Sequence, residues 1–447
     1  MRRGWLGFLG ALCVGLFLGT GQAFAAASNV WRLANSARQA GMGGTCRSLA
    51  DDGIAPLCNP AGIAFQKGAT LHLNGVLGLI HARYEDPQND SRPGTEGGAG
   101  IAALGDFGFT HHVGESPFGY GLGLYTVAGT RLKYDIDSTL LTASGTRTEN
   151  FDITLIHQRL IPSVAFRVTD NFAIGGGYIE AYEIYSHAQP LRLSGAAEPA
   201  SLVGANFYLD ANTDGWGESG VFGAMYRFGD RTRIGAAYTM PMKVKLKGRS
   251  EATLRNNPTL IPFGIADGAR NNYATSGTMR IPQVVSLGVS HQVRPDLLLA
   301  FDWQWFNWAS SDALLLYLYD GSNAAINAVI GPNIRDALKY DFRDAYTYQF
   351  GVEYTPSPLL ALRAGYIFAT NPVRNLTIQP TLNGNLQHTI SLGAGTKVKG
   401  WDVDAAWSHS LFHIQGVDRS DVAGGEFNDS QTGTGADLFF LSLKKQF

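Results

Sequence analysis

Beyond its amino terminus this 447-residue chain has no apolar run long enough to cross a bilayer as a helix, although 45% of its residues are hydrophobic. A helical span needs about 20 such residues in a row. The absence excludes a helical membrane protein and leaves a closed β-barrel as the bilayer solution, because only closure satisfies every backbone group in hydrocarbon. Charge is scarce as well: Asp, Glu, Lys and Arg make up 16%, against about 25% in soluble domains. A net charge of −2 supplies no basic face for a nucleic-acid partner. The ten histidines are scattered without metal-ligand spacing, and His111 and His112 cannot both point inward from one strand. Gly119, Gly121 and Gly123 form no dinucleotide fingerprint, since no helix follows them. No metal and no cofactor is expected. Of only three cysteines, Cys13 lies in the amino-terminal apolar stretch and lacks the small residue that a lipoprotein signal needs before it. Cys46 and Cys58 are close in sequence. In an oxidising periplasm a Cys46–Cys58 disulfide would close a small loop, worth roughly 3 kcal/mol; two free thiols are the alternative.

What is present is glycine, at 55 residues, and aromatic side chains: 8 Trp, 18 Tyr and 24 Phe. Arg2-Arg3, an apolar stretch from Trp5 to Leu18 and the small residues up to Ala27 read as a cleaved secretory signal over residues 1–27. At the other end Phe447, Lys445, Leu443, Leu441 and Phe439 share one face of a strand, and Gln446, Lys444 and Ser442 the other. That is how an outer-membrane barrel ends, and the terminal Phe447 is the expected handle for the barrel-assembly machinery.

From Ala69 onward the chain divides into period-2 segments near 69–85, 99–113, 117–134, 157–168, 172–187, 215–228, 232–247, 279–293, 297–309, 345–355, 359–370, 386–398, 401–414 and 436–447. Fourteen strands is an even number, as such barrels require. Alternation is cleanest late in the chain, where Tyr346, Tyr348, Phe350, Val352 and Tyr354 alternate with Thr347, Gln349, Gly351 and Glu353. Six tight turns, at Pro117, Asp170-Asn171, Gly229-Asp230-Arg231, Arg294-Pro295-Asp296, Pro356-Ser357-Pro358 and Lys399-Gly400, separate seven long connections. Both ends of the barrel are therefore expected on the periplasmic side. The expected fold is all-β, a 14-stranded antiparallel transmembrane β-barrel over 69–447. Residues 28–68 lack strand alternation and would dangle as a tail or fold into the lumen as a hatch (plug). Their Gly41-Met42-Gly43-Gly44 turn, cysteine pair and Asn59-Pro60-Ala61-Gly62 favour the hatch.

These residues resemble the FadL-type family of outer-membrane long-chain fatty-acid and aromatic-hydrocarbon transporters. Ala50-Asp51-Asp52-Gly53 and Asn59-Pro60-Ala61 look like that family's acidic pair and Asn-Pro-Ala hatch motif. The similarity runs on through Pro162–Phe166, Gly215–Gly217 to Lys247-Gly248, Ile281-Pro282 to Ser310 and Phe342–Tyr346, covering essentially the whole mature chain. It implies a hatch inside the barrel, a third strand that kinks inward to open the wall, and an Asn-Pro-Ala turn close to that gap. The third strand gives its own reason to look there: Gly119, Gly121 and Gly123 occupy one face, and glycine within a strand permits a kink or bulge. A smooth wall with small residues against the plug is the other reading.

The expected function is passive uptake of hydrophobic molecules, long-chain fatty acids or hydrocarbons, with a lateral opening that delivers them to the bilayer. Each methylene removed from water gains about 0.8 kcal/mol, so such cargo needs a graded apolar path. Leu202, Phe207, Leu260, Phe263, Leu315 and Ile330, in three apolar loops, are candidates for an outer catch site, or else they pack on each other to cap the barrel. Ile326, Ile330, Ile334 and Leu338 recur at helical spacing. A fatty-acid carboxylate would need a cation. Lys339 and Arg343 are the candidates, Arg159 and Arg192 weaker ones, and with none at the pocket a neutral hydrocarbon becomes the better ligand. The rivals are a general porin for hydrophilic solutes, which needs an open charged lumen, and an outer-membrane lipid hydrolase. The hydrolase would have to use Ser408-His409-Ser410, where His409 and the serines face opposite ways. Expected partners are the hydrophobic ligand and outer-membrane lipid and lipopolysaccharide, with the chain a monomer.

Overall fold

The computed structural model describes residue 32 and residues 34–89, 96–142, 144–255, 264–311, 313–382 and 386–447. The expected signal at 1–27 and the loop residues Leu260 and Phe263 lie outside the described residues. The strands are β1 (Ala69–Glu85), β2 (Glu96–His112), β3 (Phe118–Ser138), β4 (Arg147–Arg167), β5 (Phe172–Arg192), β6 (Asn206–Phe228), β7 (Thr232–Thr239), β8 (Met242–Thr253) and β9 (Arg270–Ile281). They continue with β10 (Val284–Arg294), β11 (Leu297–Phe306), β12 (Ala313–Tyr319), β13 (Ile334–Lys339), β14 (Ala345–Ser357), β15 (Leu360–Ala369), β16 (His388–Val398), β17 (Trp401–Val417) and β18 (Ser430–Gln446). Neighbours pair antiparallel, and β1 pairs with β18 to close the ring. Because β7 with β8 and β9 with β10 each form one crossing, and β12–β13 is a hairpin beyond them, the wall is a closed barrel of fourteen strands.

Two adjacent crossings change phase halfway. In β7 the odd positions Gly235 and Ala237 face inward, whereas in β8 the even positions Met242, Val244 and Leu246 do. The break is Met240-Pro241. Beside it, Pro282-Gln283 switches β9, with Tyr273 and Thr275 inward, to β10, with Val284 and Ser286 inward. Proline has no N–H for the ladder and interrupts it. An uninterrupted strand over 232–247, as the alternation suggested, would have turned Lys243, Lys245 and Lys247 into the lumen; the break turns them out.

Strands β3 to β6 also run further than the alternation indicated, β6 beginning at Asn206 and not near 215. There Asp210, Asn212 and Asp214 are exposed, so this part of the ladder has a polar outer face where the apolar signal ends. The helical spacing from Ile326 to Leu338 holds over Ala324–Ile330 only. Gly331, with φ of 80°, and Pro332 end that helix, and Ile334 and Leu338 belong to β13. Lower down, Phe118, Tyr120, Val164, Phe222, Leu392 and Leu441 form part of an exposed apolar belt, the face a membrane barrel turns to lipid.

The amino-terminal segment packs inside the ring. Ser36 caps α1 (Ala37–Gly41) by accepting the Gln39 N–H, α2 (Ala55–Cys58) follows, and Asn59 caps a 3-10 turn over Pro60–Phe65. Cys46 and Cys58 are disulfide-bonded, their Cα atoms 5.9 Å apart. Glycines of the wall let this segment approach closely. A Cβ at Gly108, Gly223, Gly235 or Gly365 would collide with Gly53, Asn59, Arg47 or Gly43. The glycine-rich inner faces thus make room for a chain and do not line an empty pore.

Gly365→Val should therefore lower the temperature at which the barrel loses its heat-modified mobility in detergent gels, with an overpacking cost of about 1–3 kcal/mol or more. Gly75→Val, at a position with nothing within 4 Å, should leave that temperature unchanged.

Candidate functional site

β2 and β3 pair from His112 with Gly119 to Phe107 with Leu124, and among the described residues their ladder ends there. Beyond that point β2 continues against β1 and β3 against β4. Between Thr126 and Ala128 the β3–β4 register shifts by a bulge, and Tyr125, Thr126, Val127 and Ala128 are all buried. A parted ladder leaves peptide groups needing partners, and side chains supply them. Asp106 accepts the Thr126 N–H at 2.9 Å. The Thr126 carbonyl accepts from Arg32 Nη1 at 2.7 Å and Asn35 Nδ2 at 3.2 Å, and Arg32 N donates to the Val127 carbonyl at 2.8 Å. Arg32 Nη1 also reaches both Asp106 oxygens at 3.0 Å, and Asn74 Nδ2 donates to Oδ2 at 2.9 Å. The start of the amino-terminal segment is thus tied across the parting.

Gly119, Gly121 and Gly123 lie just below it, in the paired part of β3. Ile63 approaches Gly119, Ile63 and Pro56 stand 3.1 Å from a Cβ position on Gly121, and Gly123 leaves space for the Tyr125 ring. That ring turns inward, its hydroxyl donating to the Gly53 carbonyl at 2.6 Å. These glycines therefore accommodate packed side chains, and the strands separate after Leu124, with the bulge following at Val127.

The Asn59-Pro60-Ala61 turn is seated elsewhere. Asn59 is fully buried and donates to the Arg47 carbonyl at 2.9 Å and the Ala224 carbonyl of β6 at 3.0 Å, while its Oδ1 accepts the Ala61 N–H at 3.2 Å. The turn is fixed to β6, and only the helix that follows reaches back to β3 through Ile63. Asp51 and Asp52 divide their work. Asp51 pairs with Arg38 at 2.7 Å and Arg233 at 3.2 Å. Arg38 continues to Glu353 at 3.0 Å, which meets Arg363 at 2.6 Å, which meets Asp404 at 2.6 Å. Asp51 and Glu353 hold the Arg38 guanidinium pKa well above its ordinary value. Asp52 is buried, 3.7 Å from His72, and caps the Ile54 N–H at 3.0 Å. On the side of the disulfide, Asp302 accepts the N–H groups of Cys46 and Arg47 at 2.7 and 2.8 Å.

Above the segment lies a cavity of about 530 Å³ lined by Leu132, Leu155, Tyr185, Ile281, Trp308 and Phe342 among others. One apolar cluster joins Leu155, Tyr185, Trp308 and Phe342 to Tyr125, Val127 and Ala128 at the parting and to Ile54 and Ile63 of the segment. Tyr185 and Tyr340 approach hydroxyl to hydroxyl at 3.4 Å, and burial pushes the Tyr340 phenol pKa up, so it stays neutral.

The cation candidates separate. Arg343 is exposed, its Nε donating to the Asn371 carbonyl at 2.8 Å, and it is not part of the cavity wall. Its acidic neighbours are engaged otherwise, Asp341 by Arg374 at 3.4 Å and Asp344 by Trp305 Nε1 at 3.0 Å. Lys339 ends β13 opposite Ala313, and its side chain lies outside the described residues. Arg159 is buried, its Nε 3.1 Å from His157. Arg192 is exposed and reaches the cavity wall. Of the loop candidates, Leu202, Phe207 and Ile330 pack into one buried cluster with Leu318 and Ile326, whereas Leu315 is 51% exposed. His409 pairs with Asp437 at 2.9 Å on the outer half-exposed face, while Ser408 and Ser410 bond Ser391 and Thr389 on the buried one. The serines and the histidine are thus divided between the two faces. Among the described residues there is no cluster of three potential metal ligands.

An obstructed fourteen-stranded barrel with an apolar outer belt defines the chain as an outer-membrane protein of the transport class. The family described as outer membrane protein transport protein (OMPP1/FadL/TodX) matches residues 16–447, and the chain belongs to it. It is similar to outer membrane protein P1 of Haemophilus influenzae, 24% identical over 264 residues, covering 53% of each chain. It is 27% identical over 259 residues to the outer membrane protein NMB0088 of Neisseria meningitidis serogroup B, covering 56% of this chain and 53% of that one. The chain spans about half the length of the curated relatives it matches. Among solved structures, a Pseudomonas aeruginosa FadL homologue superposes with a TM-score of 0.76 at 22% identity, over 94% of this chain and 100% of that one. The Pseudomonas putida toluene transporter TodX gives 0.71 at 18%, over 93% and 99%. At these identities the likeness to the solved structures is one of fold.

Asn59→Ala would strip the Arg47 and Ala224 carbonyls of their donor, at about 1–3 kcal/mol for each buried group left unsatisfied. The expected outcome is a lower unfolding temperature and faster reduction of the Cys46–Cys58 disulfide in the folded barrel, read by thiol labelling.

Proposed function

We propose that this chain carries small hydrophobic molecules across the outer membrane by diffusion, receiving them in the cavity beneath the loops and releasing them sideways between β2 and β3. In this reading the amino-terminal segment is a hatch: its body blocks the way down, and Arg32 and Asn35 form a latch over the lateral exit. The observation that carries the reading is the parted β2–β3 ladder, where Asp106, Arg32 and Asn35 take the Thr126 peptide groups and the Arg32 N–H donates to the Val127 carbonyl. In hydrocarbon such partners are required wherever a wall parts. The apolar cluster running from Trp308 and Phe342 to Val127 supports one dry path from cavity to exit. Cargo that never re-enters water along that path does not face the hydration cost of its apolar surface. A hydrophilic porin would need a water column, which the packed segment interrupts.

The ligand class favoured is neutral hydrocarbon, aromatic rings included. Trp308, Phe342, Tyr185 and Tyr340 line the cavity, and Arg343 stands away from it. Long-chain fatty acid is the second reading, favoured by Arg192 and Arg280 at the cavity wall, where a carboxylate could stay hydrated while its tail enters. Arg192→Gln combined with Arg280→Gln, the two arginines that line the cavity, separates the two. Binding of radiolabelled oleate to purified protein should weaken about tenfold on loss of a charge-assisted contact of about 1.5 kcal/mol if the ligand is an acid, with toluene binding unchanged. An effect on neither leaves hydrocarbon as the ligand.

The lateral route has its own test. Arg32→Cys with Asp106→Cys, joined by a short bismaleimide, would tie the latch to β2 across the parting. Uptake of labelled toluene by whole cells should then fall at least tenfold relative to the unlinked double variant, and undiminished uptake would exclude this exit.

A further inference from the structure

On the outer surface of β8, Lys243, Lys245, Lys247 and Arg249 occupy alternate positions and are all exposed, while Met242, Val244 and Leu246 between them are buried at 3%, 0% and 2% exposure. The phase change at Met240-Pro241 puts them outside. At two residues per step the four cations stand about 7 Å apart in a single file. Among the described residues none of the four has an ion-pair partner. Asp214, across the ladder from Lys247, is engaged by the Tyr182 hydroxyl at 3.1 Å, and Glu251 of the same strand pairs with Arg270 at 3.3 Å. On the other flank Thr278, Ser276 and Ala274 stand opposite Lys245, Lys247 and Arg249, so small uncharged side chains leave open surface beside the file.

Its height on the barrel matters as much as its charge. Below it the outer wall is apolar, with Phe222, Tyr226, Ile234, Tyr238 and Met240 exposed. Lys245 is level with Trp216, whose ring lies 4.7 Å from that of Tyr182. Paired aromatic rings of this kind mark the boundary between hydrocarbon and headgroups. Lys243 stands one step below that boundary, within reach of it along its own four-carbon stem, and Lys245, Lys247 and Arg249 rise from it to where lipid headgroups lie.

We propose that Lys243, Lys245, Lys247 and Arg249 bind the phosphate groups of a phosphorylated glycolipid in the outer leaflet, independently of the transport reading. Four like charges in a row repel one another, and a headgroup bearing more than one phosphate relieves the repulsion while its acyl chains cover the apolar belt beneath. Cations with no protein counter-ion can meet those phosphates without breaking an existing pair.

The test uses the full chain in phosphatidylcholine nanodiscs containing a small fraction of diphosphoryl lipid A, with retained lipid A counted by native mass spectrometry. Wild-type protein should retain at least ten times more than a variant combining Lys243→Gln, Lys245→Gln, Lys247→Gln and Arg249→Gln. A variant with Lys243→Arg, Lys245→Arg and Lys247→Arg should behave as wild type. Dephosphorylated lipid A should be lost from wild-type protein as readily as from the glutamine variant, an arm that needs no substitution to fold. Equal retention of lipid A by the glutamine variant, or equal retention of the dephosphorylated lipid by wild type, would overturn the proposal. Complete displacement by millimolar inorganic phosphate would assign the file to a free anion and overturn the lipid as its ligand.

Discussion

In hydrocarbon every peptide group must find a partner within the protein, and the arrangement around Asp106 follows from that requirement. A barrel wall can separate two neighbouring strands inside a membrane only where other groups take over the ladder. Here one carboxylate accepts from Thr126 N, Arg32, Asn35 and Asn74, and Arg32 and Asn35 also take the Thr126 carbonyl. The same side chains that make the parting tolerable fasten the start of the amino-terminal segment to it. Wall and segment are therefore one structure at this point, and a displacement of Arg32 alters the wall.

The rest of the segment is held by different means. Its backbone rests on wall glycines, and an ion-pair chain from Arg233 through Asp51, Arg38, Glu353 and Arg363 to Asp404 ties it to four strands. Removing one member of a buried ion pair typically costs about 3–5 kcal/mol, because the partner is left charged and unpaired. Asp302 anchors the loop carrying the disulfide, and Asn59 anchors the turn. The body of the segment is thus bound at many points, while Arg32 and Asn35 meet the barrel through the Asp106 cluster and Ala34 packs against Val76, Ile80 and Leu438.

Much of the architecture is legible in the chain. β14 to β18 fall close to where alternation puts them, because there one face meets lipid and the other meets small lumenal residues, and period 2 is undisturbed. The family and the interior position of residues 34–66 follow from Asp51-Asp52 and Asn59-Pro60-Ala61 with their collinear neighbours. Less legible were features that depend on what a strand faces beyond the bilayer. The upper halves of β3, β4 and β6 alternate apolar with polar in the opposite sense to the bilayer part, with Leu132, Tyr134, Ile136, Phe151, Phe207 and Leu209 turned in and polar residues turned out, so they do not carry the outward apolar signal of a lipid-facing strand. Two single breaks, at Pro241 and Pro282, reverse which residues look inward, and the reversal moves three lysines from the expected lumen to the outer surface. Glycine spacing in β3 pointed near the parting, but its cause is the bulge at Val127 and the inward ring of Tyr125, which only tertiary packing reveals. Arg343 stood out by its charge and its place in a matching run, yet its side chain turns to the Asn371 carbonyl and away from the cavity.

The most direct measurement of the account is photolabelling by an apolar ligand, such as a diazirine-bearing aromatic hydrocarbon, on protein in lipid bilayers, with the labelled residues mapped by mass spectrometry. Sideways release predicts a trail of adducts from Trp308 and Leu132 through Val127 to Leu104 on β2. Adducts that bypass β2 and β3 and run instead down the lumen to the periplasmic end, around Phe65 and Arg227, would contradict it.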